Sequence, residues 1–414
     1  MKRKIITSGI LIAMSALVIS CSESLTDSNL QPTQKIANGD LSQASNLSKT
    51  IVPDDAYIVV YKDQTSDREL ESEVDDMDKS EGVKAEHVYK EAIKGYAARL
   101  TPAALAKLKK NPKVAYIEKD QVMSINTTQS VTPSWGIDRI DQVSLPLSTQ
   151  FSYTATGSGV DAYIIDTGIL TKHVEFTNGR AVGGYSSIGG SSNWTDQNGH
   201  GTHVAGTVGG ATYGVAKNVK LIAVRVLDAR GSGTTSGVIA GINWAINNHT
   251  TRPAVANMSL GGGISTSLDA AVQNAVNDGI VMCVAAGNSN QDASLSSPAR
   301  VSSAITVGAT GSRSILTNYD DRADYSNYGS IVDIFAPGSN ITSAWYTSTT
   351  AKNTISGTSM ATPHVTGVAA LYKSINTGAS PSTVEGALKA ASTKGIITGL
   401  PTGTLNNLLY YSGF

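Results

Sequence analysis

The sequence predicts an α/β protein: a main domain built on a parallel sheet with helices on both faces, preceded by a small α+β domain. Three observations carry this. From residue 160 onward, short apolar runs alternate with segments of helical period, as strands joined by crossover helices do. Some of these runs, 280–286 above all, are apolar without alternation, the pattern of strands buried on both faces. Residues 54–126 are denser in charge and follow the order β-α-β-β-α-β of ferredoxin-like folds. At 414 residues the chain has room for two or three domains.

In chain order, Lys2, Arg3 and Lys4 precede an apolar run to Ile19, so residues 1–21 have the form of an export signal. The run is short and broken by Ser and Gly, against a transmembrane anchor. Val18-Ile19-Ser20-Cys21 resembles a bacterial lipobox, which implies lipidation of Cys21. Residues 22–53 are rich in Ser, Asn, Gln and Thr without hydrophobic period and read as a disordered tether. In 54–126, strands are predicted at 57–61, 85–89, 95–100 and 114–118. A helix rich in acids is predicted at 66–79, and a second opens at Thr101 as N-cap with Pro102 at the first helical position. A separate binding module is the lesser reading of this unit.

In 127–414, strands are predicted at 160–166, 219–227, 255–260, 280–286, 304–309 and 331–336. Helices are predicted at 235–248, at 267–278 before Gly279, and at 382–391. Val238, Ile239, Ile242, Ala245 and Ile246 give the first of these its apolar face. No internal repeat is visible. A net charge of −1 gives no electrostatic reason to expect nucleic acid or an anionic surface as partner, and a monomer is expected. Of the two cysteines, Cys21 belongs to the signal and Cys283 to an apolar run, so no disulfide is expected within the processed chain.

Three segments carry chemistry. In Gly357-Thr358-Ser359-Met360-Ala361-Thr362-Pro363-His364-Val365, the serine precedes a run of small and apolar residues that reads as a buried helix. Ser359 then sits at a helix N-terminus, where free N–H groups favour a developing oxyanion. A plain N-cap is the other reading. Gly357 is expected where a side chain would clash. The run 160–166 ends in Asp166 before Thr167-Gly168, at the carboxyl end of a strand, the edge where open α/β sheets place ligands. His200 stands between Gly199 and Gly201 at the start of a small-residue helix. His203 competes for the role of base but lies deeper in that helix.

Together these segments closely resemble the subtilisin-like serine peptidases, in their proteinase K branch, from about Trp135 to the end. The resemblance implies a triad of Asp166, His200 and Ser359, in the order Asp, His, Ser. It implies that Asn288, after the strand ending Ala285-Ala286-Gly287, serves the oxyanion hole with the Ser359 N–H. It also implies a substrate strand lying between Gly231-Ser232-Gly233 and Ser259-Leu260-Gly261-Gly262. The first of these segments alone would pass for an ordinary loop. With no acid in 259–262, 285–287 or around Ser296-Ser297, an apolar or aromatic side chain is expected before the scissile bond. Thr235 and Ser296 depart from the aromatic residues of relatives. The domain before it resembles the family's inhibitor-type propeptide, implying a folding assistant and inhibitor cut off near Asn126-Thr127.

No cofactor is expected for the chemistry, but the resemblance implies structural calcium. One site is expected at Asp333 with carbonyls of Ser302 and Ala304. A second is expected at Asp138, Asp141 and Gln142, which read equally as solvated charges on a helical turn. Relatives carry disulfides near Gln197 with Ala229 and near Ser294 with Ile331, and none of these four is Cys. The expected function is a secreted, self-cleaving serine endopeptidase acting on proteins or peptides. An esterase or lipase would need Gly-x-Ser-x-Gly and the chain order Ser, Asp, His, and this chain has Ala361 and the order Asp, His, Ser. An inactive, peptide-binding homologue is the reading from another class.

Overall fold

The computed structural model describes residues 54–62, 64–90, 93–119, 127–130, 132–311 and 319–413. The expected signal, tether and Cys21 lie outside these residues, as does the Asn126 side of the expected cleavage point. The chain divides into two compact units, Met1–Val122 and Met123–Phe414.

The first unit contains β1 (Ala56–Tyr61), α1 (Asp67–Glu81), β2 (Ala85–Tyr89), β3 (Gly95–Arg99), α2 (Pro102–Leu108) and β4 (Val114–Lys119). Its antiparallel sheet has the order β2-β3-β1-β4, the ferredoxin-like arrangement the sequence predicts. Ser66 and Glu69 close a capping box at the start of α1, and Gly82 ends that helix at φ 67°. Leu70 and Met77 of α1 pack with Val59, Tyr61, Tyr96 and Leu108 in a core of their own.

The second unit opens with β5 (Thr127–Ser130), α3 (Trp135–Arg139) and β6 (Gln150–Tyr153). Then follow β7 (Asp161–Asp166), β8 (Ala181–Ser186), α4 (His200–Gly209), β9 (Lys220–Arg225), α5 (Thr235–Asn248), β10 (Ala254–Met258), α6 (Thr266–Asn277) and β11 (Val281–Ala285). It closes with β12 (Ile305–Thr310), β13 (Ile334–Pro337), β14 (Ile341–Ala344), β15 (Lys352–Ile355), α7 (Thr358–Ile375), α8 (Pro381–Ala391), β16 (Thr393–Lys394) and β17 (Asn407–Leu408). Nine strands form one sheet in the order β16-β17-β13-β12-β11-β10-β7-β9-β8. Every described pairing in it is parallel except β16 with β17 at the edge.

Strand β7 shows why its sequence is apolar throughout. Ala162 and Ile164 point into the core under α4 and α7, while the alternate Tyr163 and Ile165 point into the core under α5 and α6. The predicted strands and helices are all found, with ends shifted by a few residues. Strand β8 and the hairpin β14–β15 were not predicted. β8 reads Ala-Val-Gly-Gly-Tyr-Ser, and its two glycines hide a strand signal. A side chain at Gly183 would overlap the Trp194 indole and one at Gly184 the Trp244 ring, so packing demands glycine there.

Candidate active site

The acid and the base meet at the carboxyl end of the sheet. Asp166, the last residue of β7, is fully buried, and both its oxygens face His200 Nδ1, at 2.8 and 3.0 Å. The Thr167 N–H donates to Asp166 Oδ1 at 2.7 Å. His200 opens α4 behind Gly199, which has φ 111°. A side chain at Gly201 would overlap the Gly168 carbonyl oxygen, so the glycine lets the base helix rest on the backbone of the acid's turn. Burial disfavours the charged imidazole, but the charge and hydrogen bond of Asp166, aided by Asp196, override it and raise the His200 pKa. His203 is excluded as a base. It is buried with Nε2 against the Ile341 carbonyl at 3.0 Å, and burial pushes it down to about 3.

Sequence reasoning missed Asp196. This buried carboxylate accepts the N–H groups of Asn198 and Gly199 and the Thr167 hydroxyl on one oxygen, each at 2.9 Å. Its other oxygen accepts the Thr202 N–H at 2.9 Å and the Thr202 hydroxyl at 2.6 Å. Asp196 thereby ties the turn after the acid to the turn that bears the base. The available signal was an acid four residues before a histidine, ahead of an Asn-Gly turn.

Ser359 is the second residue of α7, as predicted, with Gly357 as N-cap. The clash expected at Gly357 is not found. An added Cβ would meet Asn288 Nδ2 at 3.5 Å, an ordinary contact, and would cover that donor rather than collide with it. Pro363, four residues beyond Ser359, lies inside the helix and has no N–H, so the Ser359 carbonyl loses its helical partner. The Ser259 hydroxyl takes that place at 2.8 Å, and the Ser359 hydroxyl donates to the Ser259 carbonyl at 3.2 Å. Asn257 fixes Ser259 in turn, Nδ2 to Oγ at 2.8 Å. To donate to His200, the Ser359 hydroxyl has to give up the Ser259 carbonyl.

Asn288 follows β11. Its Oδ1 accepts the Thr358 N–H at 2.8 Å and the Thr358 hydroxyl at 3.0 Å. With its oxygen so engaged, its amide N–H₂ is left to face the start of α7. Two cavities adjoin these groups. The one bounded by Asn288 and Ser359 is about 380 Å³, is walled by Leu260–Gly262, Ala285–Gly287 and Ser296-Ser297, and has no charged residue in its lining. The other, about 580 Å³, runs from His200 and Asn198 along Gly231, Ser232 and Gly233 to Val238, Leu260 and Leu268. Thr235 lines the second and Ser296 the first, where the sequence comparison placed its departures.

At the expected metal sites the two donor sets differ. Asp138 accepts Ser148 and Thr149, Gln142 Oε1 accepts the Ser148 N–H at 2.7 Å, and Asp141 Oδ2 accepts the Ser152 N–H at 2.7 Å. Asp141 Oδ1 is buried without a hydrogen-bond partner, and burial, with Asp138 adding to it, pushes that carboxyl up to about 6. An orphaned carboxylate oxygen beside a second acid and an amide oxygen fits a hard cation. Asp333 lies beside the start of β12, with the Thr306 N–H on one oxygen at 3.0 Å. Its other oxygen accepts the Lys389 ammonium at 2.9 Å, so a metal there has to displace an internal cation. Among the described residues no three His, Cys, Asp or Glu side chains gather at one point.

Residues 157–408 match the subtilase family of peptidases, and residues 56–126 match the peptidase inhibitor I9 family. The chain belongs to the subtilase family. It is 56% identical over 330 residues to an extracellular serine proteinase of Thermus sp. (strain Rt41A), covering 80% of this chain and 78% of that one. It is 47% identical over 401 residues to alkaline serine exoprotease A of Vibrio alginolyticus, covering 92% and 73%. Among solved structures it matches a cold adapted subtilisin-like serine proteinase with a TM-score of 0.64 and 53% identity, over 68% of this chain and 98% of that chain. This subtilase is thus a serine endopeptidase with an I9 propeptide, and neither its site nor its relatives favour an inactive homologue.

Proposed function

We propose that this subtilase is a secreted, broad-specificity endopeptidase that releases itself from its own propeptide and prefers an apolar or aromatic side chain before the scissile bond. The observation that carries the reading is the buried Asp166 holding His200 Nδ1, with Ser359 at a helix N-terminus beside the Asn288 amide. The Ser359 oxygen attacks the peptide carbonyl carbon while His200 Nε2 takes its proton, and Asp166 stabilises the imidazolium. The carbonyl oxygen gains the negative charge and is met by the Asn288 amide and the Ser359 N–H. His200 then protonates the departing amine as the C–N bond breaks, leaving an acyl-enzyme. Water, deprotonated by His200, splits that ester and restores the serine. The uncharged cavity beside Ser359 supports the apolar preference.

Asp138, Asp141 and Gln142 are proposed to hold calcium, which would supply only local stability, and the chain is proposed to act as a monomer. The extracellular relatives support export. The lipobox-like end supports a precursor anchored through Cys21, with the anchor lost on cleavage near Asn126-Thr127. A fluorophosphonate probe tests the whole. It should label a species of mature mass in the wild type and nothing in Ser359→Ala, which should persist uncut. A fatty-acid label should mark that uncut precursor and vanish in Cys21→Ser. Labelled Ser359→Ala would reject the nucleophile. Cleavage of that variant near Thr127 in a protease-free host would reject self-processing.

A further inference from the structure

If the protein acts as the proposed endopeptidase, the larger cavity takes its substrate, and that cavity carries one formally charged side chain, Arg230. Arg230 stands in the turn between β9 and α5 and lines the cavity together with Asn198, His200, Leu227 and Gly231. Its side chain is 87% exposed, so its guanidinium remains in reach of solvent and ligand. Asp228 is its ion-pair partner, but the pair is long and lies at the surface, where a substrate carboxylate can compete for the guanidinium. One Asp228 oxygen accepts the N–H groups of Arg230 and Ser232 at 2.8 and 3.0 Å, and the other meets the guanidinium only at 3.4 Å. Asp228 is not part of the cavity lining.

Substrate geometry decides which side chain meets Arg230. The scissile carbonyl must lie between Ser359 and Asn288, which border the smaller cavity, so the residue before the scissile bond fills that cavity. A peptide extended along Gly231–Gly233 and Leu260–Gly262 turns successive side chains to opposite sides. The second residue before the bond then points away from the smaller cavity, into the end of the larger one lined by His200, Asn198 and Arg230.

We propose that Arg230 makes this enzyme favour peptides with Asp or Glu as the second residue before the scissile bond. A carboxylate there meets a guanidinium whose planar donors match it, beside a histidine that is neutral in its working form. Because the pair is exposed, the gain is small and sensitive to salt.

The test compares kcat/KM for succinyl-Ala-Ala-X-Phe-p-nitroanilides with X as Glu, Gln and Lys, in wild type, Arg230→Gln and Arg230→Glu. In wild type at low salt, Glu should exceed Gln by about fivefold and Lys should fall below Gln. The Glu/Gln ratio should approach one in Arg230→Gln and at about 1 M salt, and Lys should overtake Glu in Arg230→Glu. Equal rates for Glu and Gln in wild type would overturn the proposal, as would a preference for Glu that survives in Arg230→Gln. Failure of all three peptides and of a protein substrate would instead overturn the endopeptidase reading.

Discussion

At the scale of residues, the site depends on side chains that never touch substrate. Asp196 accepts five hydrogen bonds and joins the turns bearing Asp166 and His200. Burial lowers the His200 pKa, and the charge of Asp196 helps Asp166 to raise it in spite of that. The base works only when neutral, so lowering this pKa makes it available at lower pH. Asp196→Asn should therefore move the acid limb of the kcat/KM profile to lower pH while reducing kcat, since an amide cannot accept on both atoms. A limb that stays in place would leave Asp196 a purely structural role.

At the scale of elements, α7 places the nucleophile through a defect in its own ladder. Pro363 frees the Ser359 carbonyl for the Ser259 hydroxyl, and Thr366, one turn further on, bonds Asn257 Oδ1 at 3.0 Å, so the helix is tied to β10 at two levels. Pro363→Ala would offer that carbonyl a helical N–H in competition with Ser259. We expect a helix at least as stable but a kcat lower by roughly 10- to 100-fold, the order that small misplacements of reacting groups produce. Unchanged kcat with unchanged melting would show that the kink is incidental. The base helix is placed differently, by close approach at Gly201 and by the carboxylate of Asp196 at its N-terminus.

At the scale of the molecule, residues 123–414 hold a single cysteine, so the disulfide positions that the resemblance implied must be held by other contacts. Gln197 Oε1 instead accepts the buried Arg225 guanidinium at 2.9 Å, and Asn198 Nδ2 donates to the Ala229 carbonyl at 3.0 Å, across the same pair of loops. Cys283 is buried and free, with its thiol pushed up to about 12 by burial. Reductant should leave the melting temperature of inhibited enzyme unchanged, and a downward shift would contradict this. Calcium should act through Asp141. Its folded pKa of about 6 exceeds the ordinary carboxyl value, so without metal the native state holds the extra proton between about 4 and 6, and this group's contribution to stability falls as pH rises through that window. A cation needs the ionised form. The melting difference between calcium and chelator should therefore be larger above pH 6 than near pH 4, and should shrink in Asp141→Asn. A difference independent of pH would reject Asp141 as ligand.

The sequence by itself determined the parallel sheet, the ferredoxin-like unit, Asp166 at a strand end and His200 and Ser359 at helix starts, whereas Asn288 was singled out only by the family resemblance. All but the last are written locally, in unbroken apolar runs, in caps such as Ser66 and Thr101, and in glycines beside polar residues at strand ends. Strand β8 and the hairpin β14–β15 were invisible because their residues are strand-like only once Trp194, Trp244 and α4 pack on them. The roles of Asp196, Ser259 and Arg225 needed the tertiary structure, since each bonds partners far along the chain. So did the outcome at Asp333, where Lys389, 56 residues away, delivers a cation to the carboxylate. A motif records which groups the chemistry requires, whereas long-range packing decides what neutralises a buried charge and which hydrogen bond a reactive hydroxyl makes at rest.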